Sequence, residues 1–590
     1  MVSAKKLVPR AKKPGPSDTA RVIAASAPVL RSPQDAPVLL KTAEQKIVGA
    51  LKIDTAVITR AGVKLQGWAV GAGALQLECD GSVVPSELTR TSRPDVAIAM
   101  KLPEPGSGFG FTLTAGATSG SFMLRLELDV DGETQRLHFP LKLQRPPVLG
   151  PGGLAGAVGF LEAASASTIT HDGVVVGWSV NEPDATVWLQ TDAGDKFFLD
   201  STFRFGRQDV SSLHSGSFGA NAREGGFIAR LKDVQPGTPV RLMGEKDSGP
   251  IMISEVVFGA LPSDAAAASQ WLFGLGTPAS QLVERYPAID APILEGLLQE
   301  AQRAWADLPV VGRSLGEPVT QPLASVIVPL YGRSDFVEHQ LMEFSRDADF
   351  QRHAELIYVL DDPALVEPFV TQADWLYKLY GVPFRWIWGG INRGFSGANN
   401  LGAAHASGTH LVFLNSDVIP QEPGWLMPML EVLQKNAKVG AVGARLTFAD
   451  GSIQHAGMCF KRRDDLGVWV NEHPQMGLDP SLDRHSVATT MPAVTGACLA
   501  MRRQDFELVG GWETGYLIGD FEDSDLCLKL RASNLASVYL PSVQLTHLER
   551  QSFKLLGSGE YRMRVVIYNA LRHQQRWQHL IDSEFQHVPV

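Results

Sequence analysis

Three continuous apolar runs constrain this chain more than any other feature, because each one stops at a polar or acidic cluster. Ala324-Ser-Val-Ile-Val-Pro-Leu-Tyr331 runs into a glycine loop, Glu355-Leu-Ile-Tyr-Val-Leu360 into Asp361-Asp362, and Thr409-His-Leu-Val-Phe-Leu414 into Asn415-Ser416-Asp417. Helical spacing separates them, over Phe336 to Phe344 and Leu401 to Ala406, and a shorter run from Arg385 to Trp388 lies between. Unbroken apolar strands are expected in a parallel sheet covered on both faces, and such sheets bind ligands beyond the carboxyl ends of their strands. Both acidic clusters fall at those ends.

This α/β stretch is part of a longer multidomain α/β plus all-β chain. At 590 residues, three or four domains are expected. Residues 1–45 mix Lys, Arg, Pro, Ser and Ala without apolar periodicity, the composition of a disordered basic arm. Residues 46–261 hold short alternating segments such as Val63 to Val70, Phe122 to Val130 and Val174 to Val180, divided by turn residues. The pattern is duplicated. Gly67-Trp68-Ala69-Val70 recurs as Gly177-Trp178-Ser179-Val180, Arg93-Pro94-Asp95-Val96 as Arg207-Gln208-Asp209-Val210, and Gly108-Phe109-Gly110-Phe111 as Gly225-Gly226-Phe227. A period of about 110 residues is one small β-sandwich per copy, so modules over 46–150 and 151–261 are predicted. Trp68 and Trp178 read as core anchors rather than sugar platforms, because a tryptophan after glycine within a strand usually packs. Any binding in these modules falls to loops, including Arg207 and Asp209. A helical linker follows over 262–321, closing with a Pro- and Gly-broken stretch from Pro309 to Pro322, and the α/β domain with a closing helix occupies 322–590.

Composition excludes several classes. Hydrophobic residues at 44% and charged residues at 20% rule out global disorder. The net charge of -10 argues against a nucleic-acid partner, whose phosphates demand a cationic surface. Cys79, Cys459, Cys498 and Cys527 form no close pair, which fits a reducing, cytoplasmic setting. The basic start carries no apolar stretch behind it, and no run of about 18 apolar residues could cross a bilayer. A chain of this kind that serves a membrane has to visit its inner face, and no feature fixes an oligomeric state.

The chemistry concentrates after the strands. Asp417, beside Asn415 and Ser416, is a candidate ligand for Mg²⁺ or Mn²⁺, although an Asp capping the next turn reads equally well from the tripeptide alone. Upstream, Asn392-Arg-Gly-Phe-Ser-Gly-Ala-Asn-Asn400 leads into a helix. Small residues there let backbone N–H groups approach an anion, and Arg393 adds charge.

The full series from Asn392 to Asp417 resembles the family 2 glycosyltransferases of the GT-A fold, over roughly residues 322 to 555. Val494-Thr-Gly-Ala-Cys-Leu-Ala-Met-Arg-Arg503, Val509-Gly-Gly-Trp-Glu513 and Asp520-Phe-Glu-Asp-Ser-Asp-Leu-Cys-Leu-Lys-Leu-Arg531 carry it further. The resemblance implies inverting transfer of a sugar from a nucleotide-sugar donor, with UDP or dTDP as carrier, to a glycan or lipid-linked glycan acceptor. It implies Asp523 as the base, Glu522 with Trp512 and Glu513 on the acceptor side, and Asp525 as a brace. It implies Asp417 and His547 as metal ligands. It further implies donor contacts from Tyr331, Asp361, Asp362, Asn392, Arg393, Gly394, Gly397, Asn400, Asn415 and Ser416. Imidazole at His547 favours manganese over magnesium. Two departures stand out: Pro363 follows Asp361-Asp362 where a Ser- or Gly-rich turn is common, and Glu513 replaces the usual Asp. The polar stretch from Lys461 to Thr490 reads as a lid or acceptor element, and Arg550 to Leu556 as a basic loop near the diphosphate.

Two rival readings remain. A sugar nucleotidyltransferase needs a Gly-rich loop and Lys after its first strand, which Pro329-Leu-Tyr-Gly-Arg333 lacks. A catalytically silent glycan-binding scaffold is weakened by the presence of Asp417, Asp523 and His547 together.

Overall fold

A computed structural model describes residues 23–24, 33–34, 37–41, 47–59, 62–92, 96, 108–116, 121–130, 133–143, 156–199, 202–247, 249–548 and 559–585. The chain divides into two compact units, residues 1–154 and 155–590. Most of the basic arm, Arg93 to Asp95 of the first repeat, and the loop from Arg550 to Leu556 lie outside the described residues.

In the first unit a six-stranded and a four-stranded sheet share one apolar core, drawn from Leu51, Leu65 and Leu113 on one sheet and Leu77, Leu124 and Leu126 on the other. The first sheet takes in Val38–Lys41, inside the stretch expected to be a free arm. Val38 and Leu40 supply the reason, since both are buried in that core. At the start of the second unit, a five-stranded and a four-stranded sheet again enclose a common core. The echoed residues meet in the same register in both copies. Gly67 pairs with Phe111 and Trp68 with Gly110; Gly177 pairs with Phe227 and Trp178 with Gly226. Glycine is required there by space: a Cβ on Gly177 would stand 2.4 Å from the Phe160 carbonyl oxygen, and one on Gly226 would stand 2.8 Å from the Phe205 ring. Trp178 is half-buried and lies 5.1 Å from the His214 ring, beside Val180 and Val210. Arg207 and Asp209 are bonded to each other, at 2.7 and 2.8 Å, and Arg207 also reaches Glu162.

The helices Ala265–Phe273 and Ala291–Trp305 follow, close to the spans that apolar spacing predicts. Between them Arg285, fully buried, makes a two-pronged ion pair with Asp290 (2.8 and 2.8 Å) and donates to Thr277. A buried pair of this kind is held by geometry, and losing either partner would strand a charge. One apolar cluster joins Val174, Val176 and Ile228 of the sheets, Leu272, Ile293 and Leu297 of the linker helices, and Tyr516, Phe521, Val565 and Tyr568 further on. The second sheet pair, the linker and the α/β domain are therefore one packed unit rather than three.

The α/β domain is built on an eleven-stranded sheet. Its main path runs Val311–Leu315, Phe384–Trp388, Ala354–Leu360, Ala324–Leu330, His410–Leu414, Cys498–Arg502, Val439–Thr447, Ala536–His547 and Val418–Pro420. The four central strands predicted from the apolar runs lie within a residue of their expected bounds, and they pair in parallel. Val311–Leu315 falls in the stretch read as a linker. It pairs antiparallel with Phe384–Trp388 at the sheet edge, where a mostly exposed strand needs no apolar pattern. The helix Gly394–Ala404 lies so close to the sheet that a Cβ on Gly402 would stand 2.4 Å from Ile327 Cγ2. Among the described residues no helix is long and apolar enough to cross a membrane.

Candidate active site

Asp417 and His547 are 130 positions apart, and strand pairing closes the gap. Val418–Pro420 runs antiparallel to Leu545–His547, with Val418 opposite His547, and the Leu548 amide donates to the Asp417 carbonyl (2.9 Å). His547 Nε2 then lies 3.2 Å from Asp417 Oδ1, with both side chains 14% exposed. Two ligand atoms each ~2.1 Å from one divalent ion and at right angles are about 3 Å apart, so the pair fits a shared cation. Gln454 Oε1 lies 2.5 Å from His547 Nδ1. Donation from Nδ1–H leaves the Nε2 lone pair directed at Asp417. Such outer partners tune metal sites strongly, and Gln454→Ala is expected to weaken Mn²⁺ binding by roughly 10- to 100-fold in a calorimetric titration. Among the described residues no cluster of three or more His, Cys, Asp or Glu side chains is placed to hold a metal. Remaining positions would fall to donor phosphates and water.

The helix Glu522–Ala532 carries the second group. Asp523 accepts from Thr495 Oγ1 (2.9 Å) and from the Gly496 amide. Gly496 cannot be larger, because a Cβ there would stand 2.7 Å from Asp523 Oδ1 and 2.6 Å from the Trp512 ring. Burial raises the Asp523 carboxyl above its ordinary range, opposed by those two donors and by nearby His547. Burial, then the charge of Asp523, pushes Glu522 up to about 8. The neighbouring Ala497 carbonyl accepts from the Asn415 amide (2.9 Å), so the Thr495 to Ala497 segment ties the Asp523 helix to the strand end that carries Asp417. The Thr495 segment is anchored in turn by His455, whose Nε2 accepts from the Thr495 and Gly457 amides, both at 3.3 Å. Burial keeps that imidazole neutral.

Glu522 also makes stability depend on pH. A carboxyl raised to about 8 favours the fold in its protonated form, so its contribution is complete at acid pH and is lost as pH rises from the ordinary carboxylate range through about 8. Glu522→Gln removes the ionisation. The variant is expected to melt like the parent near pH ~5 and several degrees above it near pH ~9, by calorimetry in metal-free buffer.

The donor side is more varied. Tyr331 is exposed at the end of the first central strand. Asp362 caps the helix Pro363–Tyr380 through the Ala364 amide (2.9 Å) and accepts from Gly332 (3.1 Å). This cap is what places Pro363 at the first helical position, where proline fits. Asp361 is buried, accepts from the Arg393 amide (2.7 Å) and is raised by burial to about 8. Asn392 Oδ1 accepts from Gly394, which sits at φ 68 with open space where a Cβ would point. Asn415 and Ser416 are half-buried at the strand end.

Five expectations change. The Arg393 guanidinium is taken up by backbone carbonyls, donating to Gly389 (2.8 Å), just past the strand Phe384–Trp388, and to Trp305 (3.3 Å). Gly397 provides room for Arg393 and Trp305, since its Cβ would come within 2.6 and 2.9 Å of them. Asn400 grips the Trp512 backbone with both ends of its amide, each at 2.9 Å. Trp512 is buried in the core against Phe395 and Phe413. Glu513 is held by Arg572 (2.9 Å) and Arg576 (3.1 Å). All five build the scaffold beneath the site. Within the Lys461 to Thr490 stretch, the Asp483 carboxylate accepts from Arg445 (2.7 Å), Tyr539 (2.6 Å) and Gln475 (3.1 Å), which ties the segment from Gln475 to His485 to the strands Val439–Thr447 and Ala536–His547. Asp525 braces its helix, accepting from Tyr516 (2.9 Å), Arg576 (2.8 Å) and Trp577 (2.6 Å). Gln454 and His455 carry no sequence signal of their own, since their roles depend on strands brought together from a distance, and Thr495 lies in the Val494 to Arg503 stretch without being singled out there.

Comparison with known proteins assigns this architecture, for residues 325–510 match the family model described as glycosyl transferase family 2. The region is a family 2 glycosyltransferase domain. The chain is 27% identical over 338 residues to the O-antigen biosynthesis protein RfbC of Myxococcus xanthus, covering 56% of this chain and 25% of that protein. It is 27% identical over 142 residues to an N-acetylglucosaminyl-diphospho-decaprenol L-rhamnosyltransferase of Mycobacterium tuberculosis (strain ATCC 25618 / H37Rv), covering 22% and 44%. The aligned parts thus span less than half the length of the curated relatives. Among solved structures, GalNAc-T7 with UDP, GalNAc and Mn²⁺ aligns at 16% identity and a TM-score of 0.34, over 44% of this chain and 50% of that one.

Proposed function

We propose that the chain is an inverting glycosyltransferase that moves a hexose or deoxyhexose from a UDP- or dTDP-linked donor onto a glycan acceptor during assembly of a bacterial-type surface polysaccharide. The observation that carries this reading is the convergence of the Asp417–His547 pair (3.2 Å) and Asp523 through the Thr495 to Ala497 segment. The family of the domain and the names of RfbC and the rhamnosyltransferase support the polysaccharide setting.

Asp417 and His547 would hold Mn²⁺ or Mg²⁺, and their mixed oxygen and nitrogen set favours manganese. Bound there, the cation supplies charge neutralisation for the departing nucleoside diphosphate. Asp523 takes the proton of the acceptor hydroxyl while that oxygen forms its bond to the anomeric carbon. The bond from that carbon to the diphosphate oxygen breaks on the opposite face, which inverts the configuration. Thr495 and Gly496 keep the Asp523 carboxylate aimed. Glu522, largely protonated at neutral pH, presents an O–H to acceptor oxygens. Tyr331, Asn415, Ser416 and the Asn392 to Gly394 turn line the donor side, with Asp361 and Asp362 fixing that turn and the first-strand loop.

The two N-terminal sheet pairs are read as a duplicated β-sandwich module, on the matching Gly-Trp and Gly-Phe registers. We place the reaction on the cytoplasmic side, where a lipid-linked acceptor is met at the inner membrane face. The test is a screen for nucleoside diphosphate release from UDP-, dTDP- and GDP-sugars with Mn²⁺ or Mg²⁺. Metal-dependent release from one donor is expected. No release and no donor binding would leave the silent scaffold as the better reading.

A further inference from the structure

Immediately before Glu522 the backbone does something a chain of L-residues avoids. Ile518 (φ 67), Gly519 (φ 152), Asp520 (φ 93) and Phe521 (φ 74) are consecutive in the left-handed half of conformational space, and three of them carry a Cβ. A β-branched residue such as Ile518 is a strong outlier there. Such a run persists only where its surroundings hold it, and it is found where geometry matters to function.

The holder is Asn569. It is fully buried on the helix Gly559–Glu584, and its side chain works entirely on this turn. Its Oδ1 accepts from the Leu517 amide (2.9 Å), while Nδ2 donates to the Leu517 carbonyl (3.0 Å) and to the Gly519 carbonyl (2.9 Å). A carboxamide alone among side chains of this size offers one acceptor beside two donors. At the far end of the turn, Phe521 packs 5.2 Å from the His573 ring, one helical turn beyond Asn569. The Phe521 carbonyl then accepts from the Asp525 amide (2.9 Å) and opens the helix.

That start has no cap of its own, for Phe521 offers no capping side chain. The turn therefore fixes how the chain enters the first helical residues, while the Asp525 bonds hold the helix from its other side. Glu522 and Asp523 are its first two residues, and a slip of one residue would swing Asp523 by about 100° about the axis, away from Thr495 and Gly496. We propose that Asn569 is a positioning residue for the transfer reaction, clamping the Leu517 to Phe521 turn so that the Asp523 carboxylate faces the acceptor. This rests on the transferase reading and adds to it a residue that touches neither substrate nor metal.

The test compares Asn569→Asp with Ile581→Ala in the full chain. Aspartate keeps the size and the acceptor but loses both donors. Ile581 is fully buried on the same helix but packs in the cluster of Leu526 and Leu530, not in that of Leu517 and Phe521, so its truncation loosens the core under the Asp523 helix while every bond to the turn stays in place. In Asn569→Asp, hydrogen exchange over residues 516–525 is expected to speed up at least tenfold, with peptides around Asp417 and His547 unchanged. Its kcat for nucleoside diphosphate release from the donor found in the screen should fall at least tenfold, with donor KM within twofold and a displaced acid limb in the pH profile. Ile581→Ala should lower Tm without changing kcat. Unchanged exchange in Asn569→Asp, or an equal kcat loss in Ile581→Ala at matched Tm, overturns the proposal while parent activity stands. No release by the parent chain from any donor overturns the transferase reading, and the assignment of Asn569 to the reaction falls with it.

Discussion

Asp417→Ala is expected to lower metal-dependent release of nucleoside diphosphate by at least ~10³-fold, because a cation stabilising a departing diphosphate contributes several kcal/mol and each ~1.4 kcal/mol is a factor of ten. The alanine removes the carboxylate that lies against His547, leaving an imidazole that holds a hard divalent ion poorly by itself. Folding should survive, since the Asp417 backbone keeps its bond to Leu548 and the adjoining strands keep their pairing. The measurement is the initial rate of release across a Mn²⁺ titration, beside UDP binding with and without metal. A variant that retains the parent rate at every Mn²⁺ concentration would remove Asp417 from the mechanism.

The second large effect is expected at Asp523. Replacing it with asparagine should reduce kcat for transfer by roughly 10²- to 10⁴-fold, the range a positioned general base contributes. The substitution is nearly isosteric, and with the amide oxygen accepting from Gly496 the amide nitrogen can donate to the Thr495 hydroxyl, which also accepts, so donor affinity and Tm should stay close to the parent values. The pH profile separates a base from a merely structural carboxylate. A base works deprotonated, so parent kcat/KM should climb as pH rises through the Asp523 pKa, which burial places above the usual carboxylate range. In Asp523→Asn that limb should disappear. An acid limb that persists unchanged in the variant would identify another group as the base.

Much of the domain's frame is legible in its sequence because burial on both faces of a parallel sheet leaves an unmistakable run of apolar residues. The strands at 324, 354 and 410 are read almost to the residue for that reason. The edge strand Val311–Leu315 is not, since four of its five residues face solvent. Asp417 and His547 stand out by their places at strand ends, whereas Gln454 does not, because it meets His547 only through a short strand paired to Val439–Thr447. Trp512, Glu513, Asn400 and Arg393 show the opposite error. They lie within the motif stretches that resemble the family, and the resemblance placed them on the cleft, but in this fold such residues serve equally to hold the cleft's walls. Glu513 illustrates the difference, as its partners Arg572 and Arg576 lie about 60 residues further along the chain. Charge complementarity over that distance has no local signature.

The helix Gly559–Glu584 points Asn569, Arg572, His573, Arg576 and Trp577 at the turn, Glu513, Ser524 and Asp525, a spacing of three and four that fits one face. All of these residues are translated after the elements they lock. His547 completes the pair with Asp417 some thirty residues earlier, which at ~5 to 20 residues per second is a delay of roughly two to six seconds on the ribosome. During vectorial synthesis the two halves of the proposed cleft are therefore made in a fixed order. The residues proposed to hold the metal are all in the chain before the helix that would fix the aim of Asp523 is complete.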